Sequence, residues 1–188
     1  MLSRANPTAG LLLAISVALV GCQNEDKASD TSVTKMDLKP DKVNESDISF
    51  VRELRTLHET TVALSAIGQL RATDSRVKDL ADVMNQVYID EMKLIDNWLI
   101  EWGATPKESV PQADTGAVLS SLEGVPQGAV FDRKFLELLI NQLGRYIPIA
   151  RQELEAGSTI NALQLAERIV EEQPGEIEEM QGLLSELP

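Results

Sequence analysis

The stretch FVRELRTLHETTVALSA, residues 50–66, decides the fold. Phe50, Leu54, Leu57, Thr61 and Leu64 recur at intervals of four and three, which is one stripe of an α-helix. Val51, His58, Val62 and Ser65 flank that stripe. The same periodicity predicts a first helix from about Ser46 to Ala72. ATDS, residues 72–75, ends it and caps the next. The second helix is predicted from about Ser75 to Trp102. It carries Val77, Leu80, Ala81, Met84, Tyr88, Glu91, Ile95, Trp98 and Trp102 inward, and Gly103 stops it.

Residues 104–129, ATPKESVPQADTGAVLSSLEGVPQGA, are rich in Pro, Gly and Ser and read as a long connection. A third helix is predicted from about Val130 to Ala156, kinked by Pro148 and stopped by Gly157. A fourth is predicted from about Thr159 to Leu187, disturbed at Pro174-Gly175. Strand signals are weak throughout.

The two halves repeat at an offset of 85 residues. Phe50 matches Phe135, Leu54 matches Leu139, Val62 matches Ile147 and Leu64 matches Ile149. Leu80-Ala81 matches Leu165-Ala166, Glu91 matches Glu176, and Trp98-Leu99 matches Leu183-Leu184. The chain therefore reads as two copies of one helical hairpin, residues 46–103 and 130–188. Each helix is about 40 Å long, and a connection over residues 104–129 can span that length. The second and third helices can then run parallel, with the loop crossing the bundle lengthwise. The expected fold is all-α: a ferritin-like four-helix bundle of two repeated hairpins joined by a long crossover.

The start of the chain reads differently. Met1–Gly10 carries Arg4 and no acid, and Leu11–Val20 is an apolar run. Ten helical residues reach about 15 Å, half of a bilayer core, so residues 1–21 read as a signal peptide rather than a membrane span. Leu19-Val20-Gly21-Cys22 resembles the bacterial lipobox. That resemblance implies lipid transfer to the Cys22 sulfur, cleavage before Cys22 and acylation of the new amine. Several acyl chains anchor a protein stably. Gln23, where an Asp would signal inner-membrane retention, points to the outer membrane facing the periplasm. Residues 22–45 form the lipidated cysteine and a polar tether without aromatics, which holds the domain on the order of 25–30 Å from the membrane. Cys22 is the sole cysteine, so the mature domain has no disulfide and no thiolate ligand.

The formal net charge is −13, and removing residues 1–21 takes away only Arg4 and makes it −14. A chain this acidic repels phosphates, which argues against nucleic acid. It leaves a solvated acidic surface, with attraction for cations or a basic protein partner.

The repeat resembles a bacterial family known as domain of unknown function 305, over about residues 47–184. The typical hairpin of that family reads F-x-x-x-M-I-x-H-H-x-x-A-V-x-M-A, then L-A-x-x-I, then Q-x-x-E-I-x-x-M-x-x-W-L-x-x-W-G. This chain has FVRELRTLHETTVALSA, LADVM and YIDEMKLIDNWLIEWG, then FDRKFLELLINQLGRYIPIA, LAERI and QPGEIEEMQGLL. The resemblance implies a ferritin-like fold. It also implies an association with copper, through paired histidines and methionines, seen in some members. Here the M-x-x-H-H positions hold Leu54, Leu57 and His58 in the first half and Leu139, Gln142 and Leu143 in the second. Of the metal pattern only His58 and Met180 remain, so the chain reads as a degenerate member.

Antiparallel counting places His58 level with about Ile89, near Tyr88 and Met92, and Gln142 level with Gln173. His58, Tyr88, Glu91, Gln142, Tyr146, Gln173 and Glu176 are thus expected to form one buried polar layer halfway along the bundle. Three readings follow. The layer is a closed hydrogen-bond network that fixes helix register, which is the favoured one. It is a soft-metal site, for copper(I), of His58 with Met84, Met92 or Met180. Or it is a di-metal carboxylate centre, which wants two Glu-x-x-His motifs and finds Leu94 and Glu179 where the histidines belong. No nucleophile–histidine–acid pattern or phosphate-binding glycine loop is present. The chain is expected to be no enzyme but a membrane-anchored envelope lipoprotein that binds a partner or acts as a scaffold. Copper handling is the alternative.

Overall fold

The computed structural model of the chain describes residues 42–104 and 113–188, which belong to one compact unit. Cys22, the signal segment and the tether up to residue 41 lie outside the described residues. The described elements are six helices: α1 (Glu45–Arg71), α2 (Ser75–Glu101), α3 (Ala113–Ser120), α4 (Ala129–Gly144), α5 (Tyr146–Ala156) and α6 (Ile160–Glu186). There is no strand among the described residues, and the protein is all-helical.

Local sequence explains each boundary. Asn44 opens α1 with a capping box: its side chain accepts from the Asp47 N–H, and Asp47 accepts from the Asn44 N–H. Asp74 caps α2 by accepting from Arg76 N–H at 2.9 Å. Gly103, with φ +69°, ends α2 in a Schellman turn, in which Ala104 N–H bonds to Leu99 C=O and Gly103 N–H to Ile100 C=O.

α1 packs against α2, and α4 and α5 pack against α6; α1 also lies on α4 and α5. The ends give the directions. Asn44 Nδ2 donates to Ala156 C=O, so α1 begins where α5 finishes. Asp132 of α4 bonds to Thr73 and Asp74 at the start of α2, so α2 and α4 begin at the same end and run parallel. The segment between them must then travel the length of the bundle. Within it α3 lies on α1, where Thr60 and Thr115 share a hydroxyl hydrogen bond of 2.7 Å. Arg71 fixes the far side of the crossover: its guanidinium donates to the carbonyls of Leu122 and Val125 and lies 4.4 Å from the centre of the Phe131 ring.

The sequence repeat is visible as contacts. Tyr146 O–H meets Thr61, Gln142 donates to Leu57 C=O, and Gln173 donates to Tyr88, each across 85 residues. A residue can touch its own repeat equivalent only near a pseudo-two-fold axis. The middle of the bundle is therefore where that axis passes. The ends obey it too. Asp47 of the first hairpin accepts from Ser158 and Thr159 N–H ahead of α6, and its equivalent Asp132 accepts from Thr73 and Asp74 N–H ahead of α2. Each hairpin caps the second helix of the other.

The core is aliphatic and aromatic. Leu54 and Leu64 from α1, Leu80, Met84 and Ile95 from α2, Phe131, Phe135 and Leu139 from α4, and Met180 from α6 are all buried. Burying a Leu or Phe side chain contributes about 1.5–3 kcal/mol. Gly68 matters to this core, because a Cβ there would sit 2.6 Å from the Phe135 ring.

Three expectations need correction. The third predicted helix is two, α4 and α5, and the break falls at Arg145 rather than Pro148. Pro148 displaces the carbonyl of the residue four before it, and that residue is Gly144, the cheapest to move. The crossover is not wholly irregular, since Ala113–Ser120 is helical. Pro174 does not disturb α6, which runs through it. Pro174 is exposed while its neighbours Ile169 and Gln173 are held in the interior. Water can serve the one carbonyl the ring leaves unpaired.

Candidate functional site

The middle of the bundle holds the polar residues. His58 is fully buried on α1. Its Nδ1 lies 3.2 Å from the Tyr146 hydroxyl. Its Nε2 lies 3.0 Å from Glu91 Oε2, a close contact without the alignment of a hydrogen bond. Two aromatic rings enclose the imidazole. Tyr88 meets it edge-on at 4.8 Å and Tyr146 stacks on it at 5.4 Å between centroids. The two tyrosine rings touch each other at 5.6 Å.

The network continues outward on both sides. Tyr146 O–H and Thr61 Oγ1 are 2.8 Å apart, and Thr61 donates to the Leu57 carbonyl. Gln142 Nε2 donates to that same carbonyl at 3.1 Å, and Arg145 donates to Gln142 Oε1. On the α2–α6 side, Arg168 donates to Glu91 Oε1 at 3.1 Å. Gln173 Nε2 reaches Tyr88 O–H at 3.4 Å and Glu176 Oε2 at 3.0 Å. Gln142 and Tyr146 stand four residues apart on either side of the break at Arg145, and both are buried.

All seven residues of the expected layer thus lie in one connected set, but not all are buried. His58, Tyr88, Gln142, Tyr146 and Gln173 are; Glu91 and Glu176 are half-buried at the rim. Complete desolvation of a carboxylate is costly, so these two keep a path to water. Glu91 is desolvated, which alone would raise its pKa, but facing His58 and Arg168 outweigh that and hold it below the usual carboxylate range. Glu176 goes the other way: burial and then the charges of Glu172, Glu91 and Glu179 push it up. Burial pushes the hydroxyls of Tyr88 and Tyr146 up, so both stay protonated donors.

Met84 and Met180 are buried in the core and Met92 is half-buried; His58 engages Tyr146 and Glu91. No group of three or more His, Cys, Asp or Glu that could hold a metal ion occurs among the described residues. One imidazole beside one arginine-paired carboxylate is a short set of nitrogen and oxygen ligands for copper.

Two members escaped the sequence reading. Thr61 sat in the apolar stripe and was read as filling, and Arg168 was not singled out. Antiparallel counting from Tyr88 and Gln173 brings Arg168 to within a turn of Glu91, so a signal existed for it. Nothing in the pattern reveals that the Thr61 hydroxyl meets Tyr146.

Solved structures with a similar fold include a DUF305 protein from Streptomyces coelicolor described as secreted. It is 25% identical, with a TM-score of 0.67, covering 75% of this chain and 91% of that one. A DUF305 fragment from Deinococcus radiodurans is 24% identical, with a TM-score of 0.68 over 77% of this chain and 99% of that one. CopM in its Cu(II)-bound form is 18% identical, with a TM-score of 0.60 over 74% and 95%. Curated proteins give no match. The family model described as "Domain of unknown function (DUF305)" matches residues 47–184. With that span covering most of the molecule, the chain belongs to the DUF305 family.

Proposed function

We propose that this chain is a membrane-anchored envelope lipoprotein whose helical domain is non-catalytic and works by presenting a surface to a protein partner. The observation that carries the reading is that, His58 Nε2 apart, the mid-bundle groups are engaged with one another. The imidazole is enclosed by two tyrosine rings, and its neighbours Glu91, Tyr146 and Tyr88 each have a further protein partner. A site built for chemistry keeps a reactive atom open to substrate, whereas a network closed on itself fixes register. The exposed face of α6, with Glu167, Glu171, Glu172, Glu178 and Glu179, supplies a surface for a basic partner.

Two facts support the envelope location. The lipobox-like Leu19–Cys22 supplies an anchor. A structural relative in the same family is described as secreted. No helix among the described residues is long and apolar enough to cross a membrane. Replacing Cys22 with Ser is expected to move the protein from the membrane fraction to the soluble envelope fraction. Unchanged membrane association would overturn the anchor.

A second reading is copper handling. His58 Nε2 lacks an aligned hydrogen bond, and the fold is that of CopM, which is known with Cu(II) bound. The short ligand set opposes it. Titration of the protein with copper(I) against a competing chelator, with His58→Ala beside it, separates the two. The first reading expects no affinity that depends on His58. Tight one-to-one binding lost in the variant would establish the second.

A further inference from the structure

The pseudo-two-fold relates the two ends of the bundle, and the ends differ in one respect. At the end where α2 begins, Asp132 caps the neighbouring turn and an apolar contact backs it: Gly68 against the Phe135 ring. At the end where α1 begins, Asp47 caps the 157–159 turn in the same way, but the equivalent of Gly68 is Glu153. The fold therefore has a way to build this joint with a single carboxyl and does not use it here.

The details at that end are specific. Asp47 is fully buried and accepts from Asn44 N–H, Ser158 N–H and Oγ, and Thr159 N–H and Oγ1, at 2.7–3.0 Å. With four donors of its own, and the Ser158 hydroxyl shared with the Lys42 carbonyl, it is satisfied as an anion. Glu153 is 1% exposed and lies beside the Asp47 carboxyl, close enough to feel its charge. It accepts from Ser46 Oγ at 2.8 Å, and its Oε1 has no partner. Its carboxyl folds back so closely over Gly157 that a Cβ there would lie 2.3 Å from Oε1. Ser158 Oγ also donates to the Lys42 carbonyl, and Asn44 to Ala156. Beside these two bonds, the contacts that hold residues 42–47 to the α5–α6 turn converge on the two carboxyls.

We propose that Asp47 and Glu153 form a proton-dependent clasp on the point where the chain enters the bundle, closed while Glu153 carries a proton and loosened when it does not. A protonated Glu153 gives Asp47 one more donor. An ionised one sets a second charge beside a buried anion, with a single hydroxyl to solvate it. Of the neighbours, Asp47 from α1 is the charged one that acts on Glu153; Ser46, Ser158 and Thr159 do not titrate, Lys42 approaches through its carbonyl, and Arg151 and Glu155 on α5 are exposed. Burial first and Asp47 second push the Glu153 carboxyl up to about 7, which puts the change near neutrality.

The test is amide hydrogen exchange on the full chain in detergent micelles, from pH 6 to 8.5, corrected for the intrinsic rate. The amides of Asp47, Ser158 and Thr159 are expected to lose about tenfold or more in protection, while those of Thr73 and Asp74 at the other end hold theirs. Glu153→Gln is expected to remove the pH dependence. Ser46→Ala, which takes away the one donor favouring the ionised form, is expected to move the transition to higher pH. Constant protection in the wild type, an equal fall at Thr73 and Asp74, or the same fall in Glu153→Gln would overturn the clasp. Should Glu153→Gln not fold, an unmoved transition in Ser46→Ala would overturn it alone.

Discussion

Tyr146 shows what a single residue does here. Its hydroxyl sits between Thr61 and His58, and its ring stacks on the imidazole. Tyr146→Phe keeps the ring and removes the hydroxyl, leaving Nδ1 of a fully buried imidazole without its partner. The expected cost is about 1–3 kcal/mol in a denaturant melt, the usual range for an orphaned buried polar group. A loss below a few tenths would mean that the hydroxyl contributes little. At this scale the sequence told much about which residues meet and less about how. His58, Tyr88 and Gln173 could be set level by counting along antiparallel helices, because a polar residue on an apolar stripe is conspicuous. Thr61 could not, because threonine passes for either class. Burial of Glu91 and Glu176 was overstated, since helical period gives the face a residue is on but not how close the facing helix comes.

Among the elements, the contact between α1 and α4 turns on one missing side chain. Gly68 admits the Phe135 ring, and a methyl there would meet ring carbons at 2.6 Å. Gly68→Ala is expected to cost about 1–3 kcal/mol by overpacking despite alanine's better helix propensity. Adding Phe135→Leu should return part of that loss. Strictly additive losses in the double variant would remove the steric explanation. The helices themselves were readable, with ends matching to within a residue or so at α1 and α2, since caps such as Asn44 and Asp74 and the stop at Gly103 are local signals. A kink from Pro148 is expected from the sequence, and the structure turns it into a full break three residues earlier, at Arg145. Proline acts on the carbonyl four positions earlier, and the effect depends on what stands there. Gly144 yields before Pro148, whereas Val170 before Pro174 stays helical. The short helix α3 was missed because Pro and Gly around it read as loop, and its place against α1 is a tertiary effect.

For the whole molecule, the repeat was the most informative feature of the sequence. It gave two hairpins, and the 85-residue contacts at Leu57–Gln142, Thr61–Tyr146 and Tyr88–Gln173 are its consequence in three dimensions. What it could not give was the asymmetry between the ends, because Glu153 and Gly68 occupy equivalent positions with no marker of burial. That asymmetry sets the pH response of the fold. The folded-state pKa of Glu153 is raised from 4.5 to about 7, so its contribution is fully present below about pH 4.5 and is lost as pH rises through about 7. Thermal melts are expected to show wild type losing on the order of 1–3 kcal/mol relative to Glu153→Gln between pH 5 and pH 8. Parallel curves would rule this out. Asp47 is shifted down, so its contribution is present above its ordinary value of 3.8 and is lost at lower pH. The central claim is that the mid-bundle network is a closed structural lock between two hairpins. A double-mutant cycle between His58→Ala in the first hairpin and Tyr146→Phe in the second, read by denaturant unfolding, tests it most directly. The account predicts that each variant destabilises the fold and that the two couple by about 1 kcal/mol or more. Two losses that simply add, or an unchanged stability in His58→Ala, would contradict it.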